Sequence, residues 1–97
     1  MTPEGKVKAA VKRELQARGI WWYCPVQNGM GVTGIPDFVC CWDGKFLAIE
    51  TKAPGKLRAV TPNQVRVMDE IRLHNGHALV VDNVSQLVEY LDRCPTS

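Results

Sequence analysis

The 97-residue sequence contains no long uninterrupted apolar segment, and its charged amphipathic start lacks the apolar run of a signal peptide. We therefore predict a cytoplasmic protein of a prokaryote or a phage-infected host cell, with no membrane partner. Hydrophobic residues make up 45% and charged residues 23%, which does not indicate extensive disorder. The length fits one domain spanning residues 1–97.

The sequence also lacks a C-x-x-C pair, although it has four cysteines. They are Cys24, Cys40, Cys41 and Cys94. Because adjacent side chains of a strand point to opposite faces, Cys40 and Cys41 should not bind one ion together, which disfavours a structural zinc site. We expect free, mostly buried thiols rather than a metal or redox role.

A strong net charge is absent too, since the formal value is only +2. Its distribution says more. Residues 1–66 hold ten Lys or Arg and five Asp or Glu, whereas residues 67–97 hold two and five. This asymmetry fits a surface that contacts a phosphate backbone, particularly if the acidic residues of the first part bind a metal ion. A solvated basic face is the alternative.

The stretch from Gly34 to Lys52 places charged residues inside otherwise apolar strand sequence. Asp43-Gly44, between two β-rich runs, predicts a two-residue hairpin turn with positive φ at both positions. Counting outward from this turn brings Asp37 opposite Glu50. The sequence therefore predicts two carboxylates facing each other across a strand pair.

Opposed carboxylates repel each other unless something compensates their charge. A hard divalent cation such as Mg²⁺ would do so. Lys52 follows Glu50 by two residues on the same strand face, where an ammonium could orient an attacking water or stabilise developing negative charge. The alternative is a solvent-facing hairpin. Against it, Glu50 follows Phe46-Leu47-Ala48-Ile49, an apolar run typical of a strand buried on both faces.

These residues resemble a known nuclease family. Pro36-Asp37, a gap of twelve residues and Glu50-Thr51-Lys52 are similar to the PD-(D/E)xK pattern. Gly34-Ile-Pro-Asp, together with Glu-Thr-Lys-Ala-Pro, resembles its virus-type replication-repair nuclease (VRR-NUC) branch. The resemblance covers nearly the whole chain and implies an α/β fold with a restriction-endonuclease-like core.

The resemblance also implies a metal site. Asp37, Glu50, the backbone C=O of Thr51 and a glutamate of the first helix would hold one or two Mg²⁺ or Mn²⁺ ions. Glu4 is our match for that glutamate, because on a helical wheel it falls inside the apolar stripe. Glu14 is the second choice. Stabilisation of the helix dipole by a first-turn acid explains Glu4 equally well.

Lys52 and Gln64 complete the implied catalytic set of Asp37, Glu50, Lys52 and Gln64. Lys52 would position or activate water for in-line attack on a phosphodiester, and Gln64 would lie beside the metal. Gln64 also has a local explanation, because Thr61-Pro62-Asn63-Gln64 has the spacing of a capping box. Both interpretations stay open.

The first half of the chain predicts a helix, a strand and a loop before the hairpin. Thr2-Pro3-Glu4 begins a helix that runs to about Ala17, with Gly19 as its stop. Ile20–Val26 has the aromatic and β-branched residues of a strand, and one of its two adjacent tryptophans should pack inward. Asn28–Gly34 predicts a flexible loop, with a phosphate-binding nest as the alternative.

The second half predicts a helix, a strand and a helix. The second helix ends near His74-Asn75 with Gly76 at C′, His77–Asp82 forms a short buried strand, and the last helix ends before Pro95. We expect His74 and His77 to be structural or exposed rather than general bases. The order α-β-β-β-α-β-α predicts a central mixed sheet flanked by helices, with a right-handed parallel crossover after the hairpin.

Together these features predict a metal-dependent, structure-specific DNA endonuclease. The resemblance implies branched DNA such as four-way (Holliday) junctions as substrate, a setting in DNA repair, a homodimer with two active sites, and no organic cofactor. The alternatives are a non-catalytic nucleic-acid-binding or assembly module with a nuclease fold, and a restriction or mismatch-directed nuclease. We expect Asp37→Ala or Lys52→Ala to abolish cleavage while sparing the fold.

Overall fold

The computed structural model describes residues 1–26 and 33–93. Within these ranges the helices and strands follow the predicted order α-β-β-β-α-β-α. They are α1 (Pro3–Ala17), β1 (Trp21–Tyr23), β2 (Phe38–Trp42), β3 (Lys45–Thr51), α2 (Pro62–Leu73), β4 (His77–Val81) and α3 (Val84–Arg93), with a short 3₁₀ helix at Leu57–Ala59. None of these helices is long and apolar enough to cross a membrane.

The four strands form one mixed sheet in the order β1-β2-β3-β4. The β1–β2 and β2–β3 pairs are antiparallel, whereas β3 and β4 are parallel and are connected through α2. A parallel pair requires a crossover, which the hairpin turn could not supply. The predicted mixed sheet flanked by helices is therefore confirmed.

The hairpin between β2 and β3 has the predicted turn and register. Asp43 has a φ of 51° and Gly44 a φ of 81°, both in the left-handed region. Pairing runs from Trp42 with Lys45 to Phe38 with Ile49, as counted from the turn. The ladder stops there. Asp37 lies one residue before β2, and the register places it opposite Glu50 just beyond the last pair, so the opposition of their two side chains stays a prediction.

Local hydrogen bonds define both ends of α1. The side chain of Thr2 accepts a bond from the Gly5 N–H at 3.0 Å, which satisfies a free donor of the first turn. Gly19 has a φ of 67°, and the N–H of Ile20 donates to the C=O of Leu15 at 3.0 Å. This Schellman geometry confirms Gly19 as the stop.

The end of α2 differs from the prediction by one residue. Asn75, rather than Gly76, occupies C′, with a φ of 69°. The N–H of Gly76 donates to the C=O of Ile71 at 2.8 Å, and a Cβ at Gly76 would lie 2.7 Å from Ile71 Cγ2. A glycine therefore fits at position 76 because a larger residue would clash with Ile71. The positive φ at C′ belongs to Asn75, and asparagine tolerates this conformation.

The core lies on both faces of the sheet. Helix α2 covers one face, where Met68 packs with Ala48 and Ala78. On the opposite face, α1 and α3 bury the larger cluster with side chains of β2, β3 and β4. Its fully or nearly fully buried members include Val11, Leu15, Phe38, Cys40, Leu47, Ile49, Val81 and Leu87.

Strand β1 is shorter than the predicted Ile20–Val26, but its tryptophans divide as expected. Trp22 packs edge-on against Phe38, with ring centroids 5.8 Å apart. Trp21 is 62% exposed and lies beside Tyr23. One tryptophan therefore belongs to the core and the other to the surface.

The cysteines within the described residues are free. Cys40 is buried and Cys41 exposed, which confirms their opposite orientations. Burial raises the pKa of Cys40 to about 12. Cys24 is also exposed, so the expectation of mostly buried thiols is wrong for two of these three. Cys94 and the glycine-rich residues up to position 32 lie outside the described residues.

Candidate metal and catalytic site

The predicted polar residues meet where β2 begins, β3 ends and α2 begins. Glu50 is the next-to-last residue of β3 and is only 4% exposed. Lys52 follows the strand, and its N–H donates to the C=O of Val81 at 2.9 Å, which continues the pairing with β4. Gln64 lies in the first turn of α2. These polar side chains therefore lie at the end of the sheet where β3 ends.

Asp37 is fixed through one of its two carboxylate oxygens. Its Oδ2 accepts hydrogen bonds from the Thr51 N–H at 2.9 Å and from the Thr51 hydroxyl at 2.8 Å. The other oxygen, Oδ1, lies 3.6 Å from the Nζ of Lys8. Because Thr51 is fully buried, Oδ2 has a structural role, and Oδ1, whose contact within residues 1–26 and 33–93 is with Lys8, is the candidate oxygen for a ligand.

Glu50, Lys52 and Gln64 form a closed set of contacts. Gln64 Nε2 donates to Glu50 Oε2 at 2.7 Å, and Lys52 Nζ donates to Gln64 Oε1 at 3.1 Å. Lys52 Nζ also lies 3.5 Å from Glu50 Oε2. These contacts hold the ammonium beside the carboxylate.

The other oxygen of Glu50 has no such contact. Oε1 is buried and has no hydrogen-bond partner among the described residues. A buried carboxylate oxygen without a partner carries a desolvation cost that a bound cation would remove. This atom is the clearest sign that the site is built for a ligand.

Both interpretations of Gln64 are compatible, because its side chain serves two contacts at once. Its Oε1 accepts the Thr61 N–H at 2.9 Å, and the Thr61 hydroxyl accepts the Gln64 N–H at 3.2 Å, which completes the predicted capping box. The amide nitrogen remains available for Glu50. The helix cap therefore orients the side chain that contacts the site.

Burial raises the pKa of Glu50 to about 7. The nearby carboxylate of Asp37 contributes to this rise, whereas the Lys52 ammonium and the Asp37 backbone N–H act in the opposite direction. The folded chain thus resists placing a negative charge on Glu50 unless a cation accompanies it.

This raised pKa predicts a pH-dependent stability in the absence of divalent ions. In the unfolded chain Glu50 loses its proton near its ordinary pKa of 4.5, but in the folded chain it keeps the proton until about 7. The folded state binds more protons between these values, so the free energy of unfolding should fall as the pH rises through this window. Glu50→Gln should remove that fall, as measured by urea denaturation in EDTA from pH 4.5 to pH 8.

Glu70→Gln, a change at an exposed glutamate of α2, is the matched control and should behave like the wild type. Gln at position 50 keeps an oxygen acceptor for Gln64, so the fold should persist. Parallel stability curves for the wild type and Glu50→Gln would contradict the raised pKa.

The assignment of Glu4, or of Glu14 as second choice, as a metal ligand from the first helix stays a prediction. Among the described residues, no group of three or more His, Cys, Asp or Glu side chains is arranged to hold a metal ion. Glu4 is 42% exposed at its side chain and lies 3.5 Å from Lys8 Nζ. Glu14 instead pairs with Arg18, which also contacts Asp92 of α3. Glu14 thus links α1 to α3, away from the site.

Lys8 is a site residue that the sequence patterns did not reveal. Its ammonium lies between Glu4 and Asp37. Burial lowers its pKa, but the carboxylates of Asp37 and Glu4 outweigh this and raise it above the ordinary value. The i,i+4 spacing from Glu4 was a usable signal, because such a pair shares one helix face.

Two carboxylate oxygens, Asp37 Oδ1 and Glu50 Oε1, therefore remain for a cation. Mg²⁺ and Mn²⁺ prefer oxygen ligands, and Mg²⁺ is often bound by one or two carboxylates while keeping several waters. The donor set and the partnerless Glu50 oxygen fit such an ion. The predicted contribution of the Thr51 carbonyl stays a prediction, since the bonds described above involve its N–H and hydroxyl.

An open cleft of about 450 Å³ lies beside Asp37. Two lysines of α1, Lys8 and Lys12, line it together with Cys24, Pro25 and Phe38. Positive side chains next to acidic ones suit a site that must hold both a cation and an anionic backbone.

The two histidines make structural contacts elsewhere. His74 Nδ1 lies 2.9 Å from the C=O of Glu70 at the end of α2, and His77 Nδ1 lies 2.6 Å from the Tyr90 hydroxyl. Neither contact involves the carboxylate site. These positions are compatible with the expectation that neither histidine is a general base, which stays a prediction.

Comparison with known proteins supports the architecture. The sequence matches no protein-family model and no curated protein. A solved structure described as a VRR_NUC domain is similar at a TM-score of 0.82 and 22% sequence identity, covering 98% of this chain and 100% of the other. The resemblance found in the sequence is thereby confirmed for the architecture. The chain has the fold of a VRR_NUC domain.

Proposed function

We propose that the chain is a Mg²⁺- or Mn²⁺-dependent endonuclease that hydrolyses phosphodiester bonds in branched DNA such as four-way junctions. One observation carries the proposal: Gln64 and Lys52 contact Glu50 through Oε2, close to the charge of Asp37, while its buried Oε1 has no hydrogen-bond partner among the described residues. The nuclease-type fold and the sequence motif support the same chemistry.

Asp37 and Glu50 would hold the metal through Oδ1 and Oε1, with the Thr51 carbonyl as a further candidate. When bound, such an ion polarises a phosphoryl oxygen and lowers the pKa of a water. The chain itself prepares the carboxylates. Thr51 fixes the orientation of Asp37, and Gln64 fixes that of Glu50.

Lys52 is placed to act on the reacting groups. Its side chain is only 13% exposed and is held by Gln64 Oε1, so its ammonium has little freedom to lose on binding a substrate. A preorganised positive charge beside the metal ligands can orient the attacking water and stabilise charge that develops on the phosphate. We assign Lys52 this role and Gln64 the role of its positioning residue.

The substrate and assembly are proposals of the same kind. The positive balance of residues 1–66 suits contact with a phosphate backbone. A domain this small offers little surface for reading DNA shape, so a symmetric pair of chains would provide a second active site for the opposite strand. We therefore propose a homodimer acting on branched DNA in repair, without an organic cofactor.

The direct test is cleavage of end-labelled four-way junction, flap and plain duplex DNA with Mg²⁺, Mn²⁺ or EDTA. The wild type should cut the junction in a metal-dependent manner, and Lys52→Met should lower that rate by roughly 10²- to 10³-fold. Lys56→Met is the matched control, because it removes an exposed lysine four residues away. Its rate should stay close to that of the wild type.

Each part of the proposal has its own contrary outcome. Metal-independent binding without cleavage of any substrate would favour the non-catalytic binding module. Equal cutting of duplex and junction would remove the preference for branched DNA. Sedimentation of a monomer both with and without DNA would remove the homodimer.

A further inference from the structure

Lys8 occupies the carboxylate oxygen that a metal ion would need. Asp37 Oδ2 is committed to Thr51, so Oδ1 is the oxygen left for a cation, and Lys8 Nζ is the cation that lies against it at 3.6 Å. The same ammonium lies 3.5 Å from Glu4 Oε2. Lys8 and a divalent ion therefore compete for one atom.

The contacts of Lys8 are weak enough to be exchanged. Both distances exceed the usual length of a charge-assisted hydrogen bond, and the Lys8 side chain is 40% exposed. Solvent screens such pairs, which contribute little free energy each. In contrast, the Thr51 bonds to Oδ2 are short and part-buried. A divalent ion could thus displace Lys8 without disturbing the support of Asp37.

A Lys8 side chain displaced from Asp37 would remain at the wall of the adjacent cleft. Its ammonium would be repelled by a divalent ion on Asp37, and its flexible stem is anchored on α1 at the wall of the cleft that it shares with Lys12. There its charge is no longer neutralised by Asp37. A lysine at the mouth of a metal site binds a backbone phosphate as a point charge.

We propose that Lys8 holds the place of the divalent ion and, once displaced by it, binds a backbone phosphate of the DNA. This inference rests on the proposed metal site and adds a residue that couples metal loading to DNA binding. Lys8 neutralises part of the charge of Asp37 before loading, and after loading it retains only the partly exposed Glu4 as a partner among the described residues, so that more of its positive charge is available to the substrate.

The first test measures Mn²⁺ binding by calorimetry in the absence of DNA. Lys8→Met keeps the length of the side chain but removes the competing charge, and should tighten the Kd about two- to fivefold at low salt. Lys12→Met is the matched control. It lies one turn further along the same helix and lines the same cleft, and no ion pair to Asp37 is found for it among the described residues.

The control separates direct competition from general repulsion between positive charges. Lys12→Met should change the Kd less than Lys8→Met, because it removes a charge from the same cleft but no contact to Oδ1. Equal Kd values for the wild type and Lys8→Met, with binding that Asp37→Asn abolishes, would overturn the role of Lys8 and leave the metal site intact. Absence of any Asp37-dependent Mn²⁺ binding would overturn the metal site as well.

The second test measures DNA binding by fluorescence anisotropy in a Lys52→Met background, so that the junction is not cut. With Mn²⁺, adding Lys8→Met should weaken binding and reduce the slope of log K against log salt by about 1. In EDTA the same change should have a smaller effect, because Asp37 and Glu4 already neutralise Lys8. An equal loss in both conditions would contradict the coupling.

Discussion

Asp37→Asn is expected to lower the rate of DNA cleavage by roughly 10³-fold while leaving the thermal stability nearly unchanged. Asparagine keeps an oxygen that can accept the two bonds from Thr51 but removes the negative charge at Oδ1. The fold therefore retains its contacts and the site loses a metal ligand. Single-turnover cleavage of a four-way junction and a thermal melt measure the two effects separately.

Asp43→Asn is the matched control, because it makes the same chemical change in the exposed turn at the other end of the hairpin. It should leave both the rate and the stability close to those of the wild type. Cleavage by Asp37→Asn at more than about a tenth of the wild-type rate would contradict the assignment of Asp37 as an essential ligand.

The structure also revises the expectation that Asp37→Ala spares the fold. Alanine would leave the buried N–H and hydroxyl of Thr51 without their acceptor. Leaving a buried donor unsatisfied costs about 1–3 kcal/mol. Loss of activity in Asp37→Ala would thus mix a chemical effect with a structural one, which is why asparagine is the sharper replacement.

Gly34→Ala is expected to destabilise the protein more than any exposed loop substitution. Gly34 has a φ of 80°, and a Cβ there would lie 2.5 Å from the Asn63 carbonyl oxygen and 2.9 Å from the Gln64 nitrogen. The unfavourable φ alone costs about 1–3 kcal/mol. The clash adds to this cost, because both neighbouring atoms belong to the backbone at the start of α2.

Gly55→Ala separates the two costs. Gly55 has a φ of 81°, but a Cβ there would meet nothing within 4 Å. Gly55→Ala therefore has the free-energy cost of the positive φ without a clash. Urea denaturation should show a loss for Gly34→Ala that exceeds that of Gly55→Ala by at least about 1 kcal/mol. Equal losses would mean that the segment carrying Asp37 can move away from α2 without cost.

The sequence predicted those features that depend on neighbouring residues. Asp43-Gly44 specified the turn, and the turn specified the register, because strand pairs are counted outward from it. The Thr2 and Thr61 caps were recognisable because capping uses side chains within three residues of the helix start.

The features that it missed depend on contacts between distant segments. Counting along the hairpin could not show that Asp37, just beyond the ladder, accepts two hydrogen bonds from Thr51. A helical wheel gave the direction of Glu4 but did not address Lys8, which lies one turn further along α1. Lys8, the longer neighbour, contacts Asp37.

The sequence predicted Gly76 at C′, but asparagine also tolerates the left-handed conformation, and Asn75 occupies that position. The contact with Ile71 distinguishes them. The close approach to Ile71, rather than a positive φ, therefore accounts for the glycine at position 76.

Gln64 belongs both to the cap of α2 and to the proposed site, so the contacts of the site should persist only while the start of α2 is folded. The same oxygen accepts the first free N–H at the start of α2 and the ammonium of Lys52. Fraying of that first turn would therefore release Lys52 and Glu50 together. Local opening at the beginning of α2 is therefore expected to disturb Glu50 and Lys52, whereas Asp37 keeps its bonds to Thr51.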